Sequence, residues 1–335
     1  MKKYFILFTS LLFLTLGFSQ KKKNSADDLK SSDLSGLKFR SVGPAFMSGR
    51  IADIAINPEN ENEWYVAVGS GGVWKTVNSG TTWSPITDNE SFYSTGCITI
   101  DPHNTSKIWL GTGENVGGRH VGIGHGVYVS DNGGKNWKSM GLKASEHISK
   151  IIVSPKDSDV VFVASQGPLW SSGGERGLYK TNDGGKTWKN VLSVNEWTGV
   201  TDVVINEQNP NILYAATWQR HRNVASYMGG GPGTSIYKSI DHGNTWIEIK
   251  NGLPNSNLGK IGLAISPFDS TIVYAAVETD RRNGAVYKTT NSGGSWIKMS
   301  DTVSGATGPH YYQELVASPH VFDKIYLMDT KVQVS

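Results

Sequence analysis

The sequence predicts an all-β fold, a β-propeller of four-stranded antiparallel blades with five full blades and a truncated sixth blade in this chain. Three observations predict it. A turn motif recurs five times, two apolar strand signals precede each copy, and the copies are separated by about the length of one blade. The motif predicts the hairpin of a blade, the strand signals predict its inner strands, and the spacing predicts its length.

The turn motif predicts the hairpin between the last two strands of a blade. Its copies cover residues 76–83, 130–137, 181–188, 239–246 and 289–296, and they start 50 to 58 residues apart. The third residue, Asn or Asp, accepts hydrogen bonds from amides of the turn, a Gly adopts positive φ, and the final Trp packs between neighbouring blades. These structural residues are Asn78, Trp83, Asn132, Trp137, Asp183, Trp188, Asp241, Trp246, Asn291 and Trp296. A sugar or metal site is the alternative, but five copies of one turn favour a repeated structural element.

Two strand signals precede each copy of the motif. The first alternates apolar residues and ends near Pro, at 54–58, 98–102, 151–155, 203–210, 263–267 and 315–319. The second follows a polar turn, at 64–68, 108–111, 160–164, 212–216, 272–277 and 325–328. A third strand leads into the motif and a fourth carries its Trp, so that strands A to D form one blade. Because Val332–Ser335 aligns with Val127–Ser130, we expect the protein to continue beyond Ser335, and Leu37–Pro44 to supply the outer strand of a final blade.

The N-terminus predicts export. Residues 1–19 combine a basic start, an apolar run and small residues before Gln20, as in a signal peptide; residues 20–36 form a polar leader, and residues 37–335 the propeller. We expect a secreted, periplasmic or cell-surface protein that is not inserted in the membrane after cleavage, an uncleaved anchor being the alternative. The single cysteine, Cys97, lies in an apolar stretch and is expected to be a buried thiol without a disulfide partner.

The charge of the folded part argues against nucleic acid as a partner. The whole chain carries a formal charge of +3, but the residues from Gly36 onward carry 26 basic and 26 acidic side chains. Nucleic acids and anionic membranes bind to net basic surfaces, which this composition does not provide.

The candidate binding site lies on one face of the propeller. In an up-and-down blade the B to C and D to A loops share the face opposite the turn motifs, and six of the eight arginines fall in the long B to C loops. Guanidinium groups bind carboxylates and phosphates with paired hydrogen bonds. The expected partner is therefore a protein, peptide or carbohydrate ligand that carries acidic groups. The candidate rim comprises Arg50, Glu114, Arg119, His120, Trp170, Arg176, Trp218, Arg220, His221, Arg222, Tyr227, Glu278, Asp280, Arg281 and Arg282. The alternative is that these arginines pair with the acidic residues and only order the loops. The histidines match no zinc spacing, and neither a metal nor a cofactor is expected.

The motifs also support a family resemblance. The segments Phe39–Pro44, Ser48–Ile51 and Ser70–Thr76 resemble large secreted bacterial proteins with BNR (Asp-box) repeats and a sortilin-type N-terminal propeller. That superfamily includes sialidases, xyloglucanases, sortilin-type receptors and photosystem assembly factors. The resemblance to sortilin implies a binding module for a protein, peptide or glycan; a glycoside hydrolase and a structural assembly factor are the alternatives.

The hydrolase alternative requires two carboxylates, or an arginine cluster with a tyrosine nucleophile. Glu114, Glu175, Glu278 and Asp280 are the available carboxylates on the loop face, and Tyr227 is the nucleophile candidate. Two departures from the family patterns weaken this alternative. Gly69 stands where related xyloglucanases carry a catalytic Asp, and only Arg40 matches the Phe-Arg-Ile-Pro element of sialidases, loosely.

Overall fold

A computed structural model describes residues 31–36, 49–280, 283–302, 313–329 and 332–335. The chain divides into two compact units, Met1–Ser48 and Gly49–Ser335. In the first unit the structure describes a single 3-10 turn, Ser31–Leu34. The predicted signal peptide and the segment Leu37–Pro44 lie outside the described residues. None of the helical segments in the described ranges has the length and apolar character needed to cross a membrane.

The second unit is an all-β propeller, which confirms the predicted fold class. Five sheets have four antiparallel strands in chain order from the inside outward, and a sixth sheet has three described strands. Blade 1 contains β1 (Ile51–Ile56), β2 (Trp64–Val68), β3 (Gly72–Thr76) and β4 (Ser84–Pro85); blade 2 contains β5 (Thr95–Asp101), β6 (Asn104–Thr112), β7 (Val127–Ser130) and β8 (Lys138–Ser139); blade 3 contains β9 (Ile148–Ser154), β10 (Asp157–Ser165), β11 (Gly177–Thr181) and β12 (Lys189–Leu192).

The last three blades continue the same order. Blade 4 contains β13 (Thr198–Ile205), β14 (Leu213–Gln219), β17 (Ile236–Ser239) and β18 (Ile247–Glu248), with the small hairpin of β15 (His221–Arg222) and β16 (Tyr227–Met228) inserted between its second and third strands; blade 5 contains β19 (Ile261–Ile265), β20 (Val273–Asp280), β21 (Asn283–Thr289) and β22 (Ile297–Thr302); blade 6 contains β23 (Glu314–Ala317), β24 (Ile325–Met328) and β25 (Val332–Val334).

The hydrophobic core lies between neighbouring blades. Alternation along the strands directs apolar side chains to both faces of each blade, so that every sheet packs on the next one. The cluster between blades 2 and 3 contains Trp109, Val129 and Ile151, and Trp109 is fully buried. Blade contact is close enough to require glycine at Gly111, where an added Cβ would lie 2.5 Å from Ile148 Cγ2. This packing holds the inner strands around a common axis.

The five turn motifs share one hydrogen-bond pattern, which explains their residue types. In the blade 3 copy, Thr181 Oγ1 donates to Asp183 Oδ1 and accepts from Gly185 N, while Asp183 Oδ1 also accepts from Thr187 N, at 2.7 to 2.9 Å. The glycine in the position of Gly185 has φ between +74° and +88° in all five copies. These local bonds hold the hairpin without help from a neighbouring blade.

The motif tryptophans connect blades. The indole N–H of Trp137 donates to Ile86 O, that of Trp188 to Met140 O and that of Trp296 to Ile249 O, each acceptor belonging to the preceding blade. Trp246 instead donates within its own turn, to Gly243 O. Trp83, in the first blade, is 37% exposed and packs edge-on against Trp64 of the same blade.

The two ends of the propeller have different loops. In each full blade the fourth residue of the turn motif donates a backbone hydrogen bond to the A to B turn of the same blade, as Gly184 N does to Asp159 O at 3.0 Å. The turn motifs and the A to B turns therefore share one end, called the motif face. Antiparallel pairing places the B to C and D to A loops at the other end, called the loop face.

Candidate functional site

Three B to C loops on the loop face interlock into one structure, called the cap. The cap consists of residues 113–126 from blade 2, 166–176 from blade 3 and 220–235 from blade 4. Its own small core contains Val116, Val121 and Leu169, with Tyr227 packed against it. The loops are therefore folded together and do not extend separately into solvent.

Arg220 is the central connection of the cap. Its side chain is fully buried, and its guanidinium donates to Val116 O at 2.7 Å and to Gly167 O at 3.2 Å, which joins all three loops. The group lies 5.2 Å from the ring of Trp218. Burial lowers the pKa of Arg220 to about 9, so the guanidinium remains charged near neutral pH. Among the described residues no carboxylate forms an ion pair with Arg220, which is stabilised instead by carbonyl oxygens and an aromatic face.

Two further arginines of the predicted rim have the same role. Arg176 is buried, and its side chain donates to four backbone carbonyls of its own loop, including Gly173 O at 2.7 Å and Gln166 O at 2.8 Å. Arg222 is buried, donates to Gly117 O at 2.9 Å and lies 4.4 Å from the ring of Tyr227. Both arginines hold backbone in place within the cap.

The acidic rim residues are also engaged. Glu114 is fully buried and forms a two-point ion pair with Arg50, whose Nη2 lies 2.7 Å from Glu114 Oε2. Glu175 accepts a hydrogen bond from Ala144 N at 2.8 Å, and Glu278 Oε2 accepts from Lys260 N at 3.3 Å. Within the described residues, Arg50 and Glu114 form one of the expected arginine–carboxylate pairs, while the buried arginines bind carbonyls.

The remaining rim residues have different positions. Trp218 is buried and donates to Gly229 O at 2.9 Å, and the Tyr227 hydroxyl is buried without a hydrogen bond, so burial raises the pKa of Tyr227. His221 stacks on Trp197 at 4.2 Å. Arg119, His120 and Trp170 are exposed. Asp280 ends β20, and Arg281 and Arg282 lie outside the described residues.

These placements divide the predicted rim into two groups. Arg176, Trp218, Arg220, Arg222 and Glu114 lie inside the protein and support the loops. A ligand on the cap would meet the exposed side chains, above all Trp170, which is 41% exposed.

A ring of charged residues, which the sequence analysis missed, lines the propeller axis. Asp53, Lys150, Asp202 and Glu314 occupy the same position on β1, β9, β13 and β23, immediately before the apolar strand signal of each blade, and Cys97 and Gly262 occupy it on the other two inner strands. Register shifts just before this position in blades 1 to 4 mark bulges, which can re-aim a side chain.

The axial charges are coupled. Burial opposes the charged form of Lys150, but the three neighbouring carboxylates outweigh it and raise the pKa of Lys150. Burial raises the pKa of Glu314 to about 7 and lowers the pKa of Lys260 to about 7. Lys260 Nζ also donates to Asn115 O at 3.0 Å, which connects blade 5 to the cap across the axis. The space left between Lys150, Asp202, Lys260 and Glu314 is about 10 Å³, so side chains fill the axis at this level.

Two larger cavities lined by described residues open to solvent. On the motif face, the ends of β5, β9, β13 and β19 form a funnel of about 640 Å³ with largely apolar walls, including Ile100, Ile152 and Ile265. On the loop face, a pocket of about 320 Å³ lies in blade 1 between Gly71–Gly72 and residues 87–93. This second cavity, called the Tyr93 pocket, was not predicted.

No group of three or more His, Cys, Asp or Glu side chains that could hold a metal converges within the described ranges. His147 is fully buried, and neither ring nitrogen has a hydrogen bond of ordinary geometry. Burial, and then the charge of Arg220, lowers the pKa of His147 well below its usual range, so the imidazole is neutral near pH 7. The sequence analysis gave no signal for this residue.

Comparison with known proteins connects the fold to two groups. The family described as sortilin, neurotensin receptor 3, matches residues 125–229, from strand β7 to the hairpin of the cap. The xyloglucanase of Hypocrea jecorina is 24% identical over 256 residues, which cover 67% of this chain and 28% of that enzyme. A xyloglucanase of Paenibacillus sp is 24% identical over 291 residues, covering 78% of this chain and 27% of that enzyme.

Solved structures agree on the fold. The GH74 xyloglucanase from Xanthomonas campestris superposes with a TM-score of 0.63 at 15% identity, over 85% of this chain and 44% of that chain. A structure described as YCF48 bound to D1 peptide superposes with a TM-score of 0.55 at 15% identity, over 88% of this chain and 81% of that chain.

The chain folds as a β-propeller that resembles the sortilin-type and xyloglucanase propellers. It spans little more than a quarter of the length of the two curated relatives described above.

Gly69, which stands where the resemblance to xyloglucanases implies an Asp, is closely packed. Gly69 follows β2 directly, is buried, donates its N–H to Arg50 O at 2.9 Å and accepts from Ser94 Oγ at 2.8 Å. It therefore lies beside the Arg50–Glu114 ion pair, between blade 1 and the cap. Arg40, the residue that matches the sialidase element, lies outside the described residues.

Proposed function

We propose that the protein acts on xyloglucan or a closely related β-glucan, as a glycoside-hydrolase-type propeller, and that its loop face holds the polysaccharide. The observation that carries this proposal is the sequence relation to xyloglucanases, which extends over two thirds or more of the chain in the two relatives described above. Sequence relation is the stronger support, because structural likeness at 15% identity reports the fold and not the ligand.

The shape of the loop face supports polysaccharide binding. The cap is a rigid platform, since its arginines bind backbone carbonyls and its loops share a core. Trp170 exposes an indole on this platform, and Tyr93 exposes a phenol ring at the blade 1 side. Aromatic rings with one free face pack well against the C–H faces of sugar rings, and rigid presentation lowers the entropic cost of binding.

Hydrolysis sets a further requirement, which is two carboxylates that can reach the glycosidic bond. Glu114 is held by Arg50, and Glu175 and Glu278 accept backbone hydrogen bonds. Because Gly69 replaces the Asp expected from the resemblance, we propose that this chain contributes binding and that product release by the chain alone is slow or absent.

The test combines binding and product release. The full chain is run in native gels that contain xyloglucan, mannan or no polysaccharide, and reducing ends released from xyloglucan are measured in parallel. We expect retardation by xyloglucan only. Trp170→Ala is expected to weaken retardation, while Phe268→Ala, which removes an exposed ring from the motif face, leaves it unchanged.

Three results would count against the proposal. Absence of retardation by any β-glucan would remove its basis. Equal retardation of the wild type and Trp170→Ala would move the binding surface away from the cap. Binding on a peptide array together with no glycan binding would favour the protein- or peptide-binding alternative.

A further inference from the structure

The Tyr93 pocket brings together accessible carboxylates and an exposed aromatic ring on the loop face. The pocket is lined by residues 71–72 and 87–93, including Asp88, Glu90 and Tyr93, and has a volume of about 320 Å³. That volume lies at the lower end of the range of small-ligand sites, about 300 to 1,000 Å³.

Tyr93 is exposed although both of its neighbours are anchored. Phe92 is 4% exposed and packs on Tyr128 at a centroid distance of 4.5 Å, and Ser94 Oγ donates to Gly69 O at 2.8 Å. The Tyr93 carbonyl accepts hydrogen bonds from Gly71 N and Gly72 N. The backbone of Tyr93 is therefore fixed, while its ring is 66% exposed. An exposed large aromatic on a fixed backbone has the geometry of a stacking platform.

The pocket depends on a glycine. Gly72 has φ +64°, and a Cβ at this position would lie 2.2 Å from Thr87 Oγ1, which accepts a hydrogen bond from Val73 N. This close approach holds the segment that carries Asp88 and Glu90 against blade 1. The wall of the pocket is therefore part of the rigid blade.

The charged groups of the pocket indicate the class of ligand. Asp88 is exposed and Glu90 is half-buried, and no hydrogen bond or ion pair between described residues occupies either side chain. This contrasts with the engaged carboxylates of Glu114, Glu175 and Glu278. Free carboxylates accept hydrogen bonds from sugar hydroxyls and repel anionic sugars.

We propose that the Tyr93 pocket is a sugar-binding subsite for a neutral β-glucan, with Tyr93 as the stacking platform and Asp88 and Glu90 as acceptors for hydroxyl groups. This inference rests on the proposed function and extends it to a defined subsite and to a preference for uncharged sugars. It also differs from the acidic ligand that the arginine content predicts, because the arginines nearest the cap core are buried.

The experiment measures the dissociation constant of the full chain for xyloglucan heptasaccharide and for oligogalacturonate by titration calorimetry at low ionic strength. We expect the wild type to bind the neutral sugar and not the anionic one. Tyr93→Ala is expected to weaken binding about tenfold or more, the loss typical of a central aromatic contact. Tyr93→Phe retains the ring and is expected to bind within about twofold of the wild type.

Two controls separate the possible failures. Phe268→Ala removes a ring of comparable exposure on the motif face and is expected to bind like the wild type. Wild-type binding that Tyr93→Ala leaves intact would overturn the subsite but leave the proposed function standing. Absence of wild-type binding to the neutral sugar would overturn both, and tighter binding of oligogalacturonate would overturn the neutral-sugar preference. Unchanged thermal melting of Tyr93→Ala would show that its fold is intact.

Discussion

Replacement of Trp188 by Ala tests whether the motif tryptophans connect blades. Trp188 is half-buried, lies edge-on to Trp109 at 6.3 Å, and donates to Met140 O of the preceding blade at 2.7 Å. Truncating a buried aromatic costs about 3 to 5 kcal/mol and losing a hydrogen bond about 1 kcal/mol, so partial burial places the expected loss near 3 kcal/mol. Trp83→Ala is the matched control, because Trp83 holds the same motif position but packs within its own blade.

The assay is thermal unfolding of both variants beside the wild type. A loss of about 3 kcal/mol corresponds to a decrease in Tm of roughly 6 to 10 °C for a protein of this size, whereas Trp83→Ala, at about 1 kcal/mol, is expected to lower Tm by roughly 2 to 4 °C. Equal decreases for the two variants would refute the reasoning, since the connection to the preceding blade would then contribute nothing measurable.

Three further predictions follow from charged groups. Hydrogen bonds from two threonine hydroxyls of its turn lower the pKa of Asp183 to about 2. The stabilisation from the charged carboxylate is therefore present above about pH 4 and is lost as the pH falls toward 2. Between pH 4 and 2 the Tm of Asp183→Asn should fall less than that of the wild type, and an equal fall would contradict the prediction. Burial raises the pKa of Glu314 to about 7, so the folded state binds an extra proton and loses stability as the pH rises from about 4.5 to 7. The wild type should therefore have a lower urea midpoint at pH 7.5 than at pH 5, and Glu314→Gln should reduce this difference. Arg220→Lys keeps the charge but loses the planar guanidinium that reaches two carbonyls. Amide hydrogen exchange in residues 116–117 and 167–169 should therefore accelerate. The control Arg119→Lys changes an exposed arginine and should exchange like the wild type.

The cap explains why arginine is concentrated in the B to C loops of a protein with a neutral folded part. Long loops bring backbone carbonyls inside the structure, and each buried carbonyl needs a donor. A guanidinium offers five donors, so Arg176, Arg220 and Arg222 together satisfy carbonyls from the loops of blades 2 and 3. Burial of these cations costs solvation free energy, and the ring faces of Trp218 and Tyr227 reduce that cost for Arg220 and Arg222.

The arrangement also separates support from recognition. Exposed Trp170 and Tyr93 lie on loops whose backbone is held by buried side chains, so a polysaccharide can bind without first ordering the surface. The motif face also has an apolar funnel of about 640 Å³, which lies at the opposite end of the propeller from Trp170 and Tyr93.

The sequence by itself determined the blades. The period of the motif, the alternation of the strands and the residues of each turn are all encoded within about fifty consecutive residues, and the hydrogen bonds of the Thr181–Thr187 turn are local. The inner and outer strands, the positive φ of the motif glycines and the contacts of Trp137, Trp188 and Trp296 with the preceding blade agree with that expectation.

Alignment of the repeats could have revealed one more feature. Asp53, Lys150, Asp202 and Glu314 share one position in the inner strands, and charge in an otherwise apolar strand is a signal of a polar axis. The sequence does not state, however, which charges meet, because that depends on the bulges and on the angle between blades.

Only the tertiary structure determined which loop residues are buried and which are exposed. Arg220 reaches Val116 O and Lys260 reaches Asn115 O across more than a hundred residues of chain, and no local pattern encodes such a pairing. Burial turned Arg176, Arg220 and Arg222 of the predicted rim into support, while the anchoring of Phe92 and Ser94 left Tyr93 exposed. Residue type sets what a side chain can bind, but its exposure is fixed by contacts between distant segments, and these exist only in the folded chain.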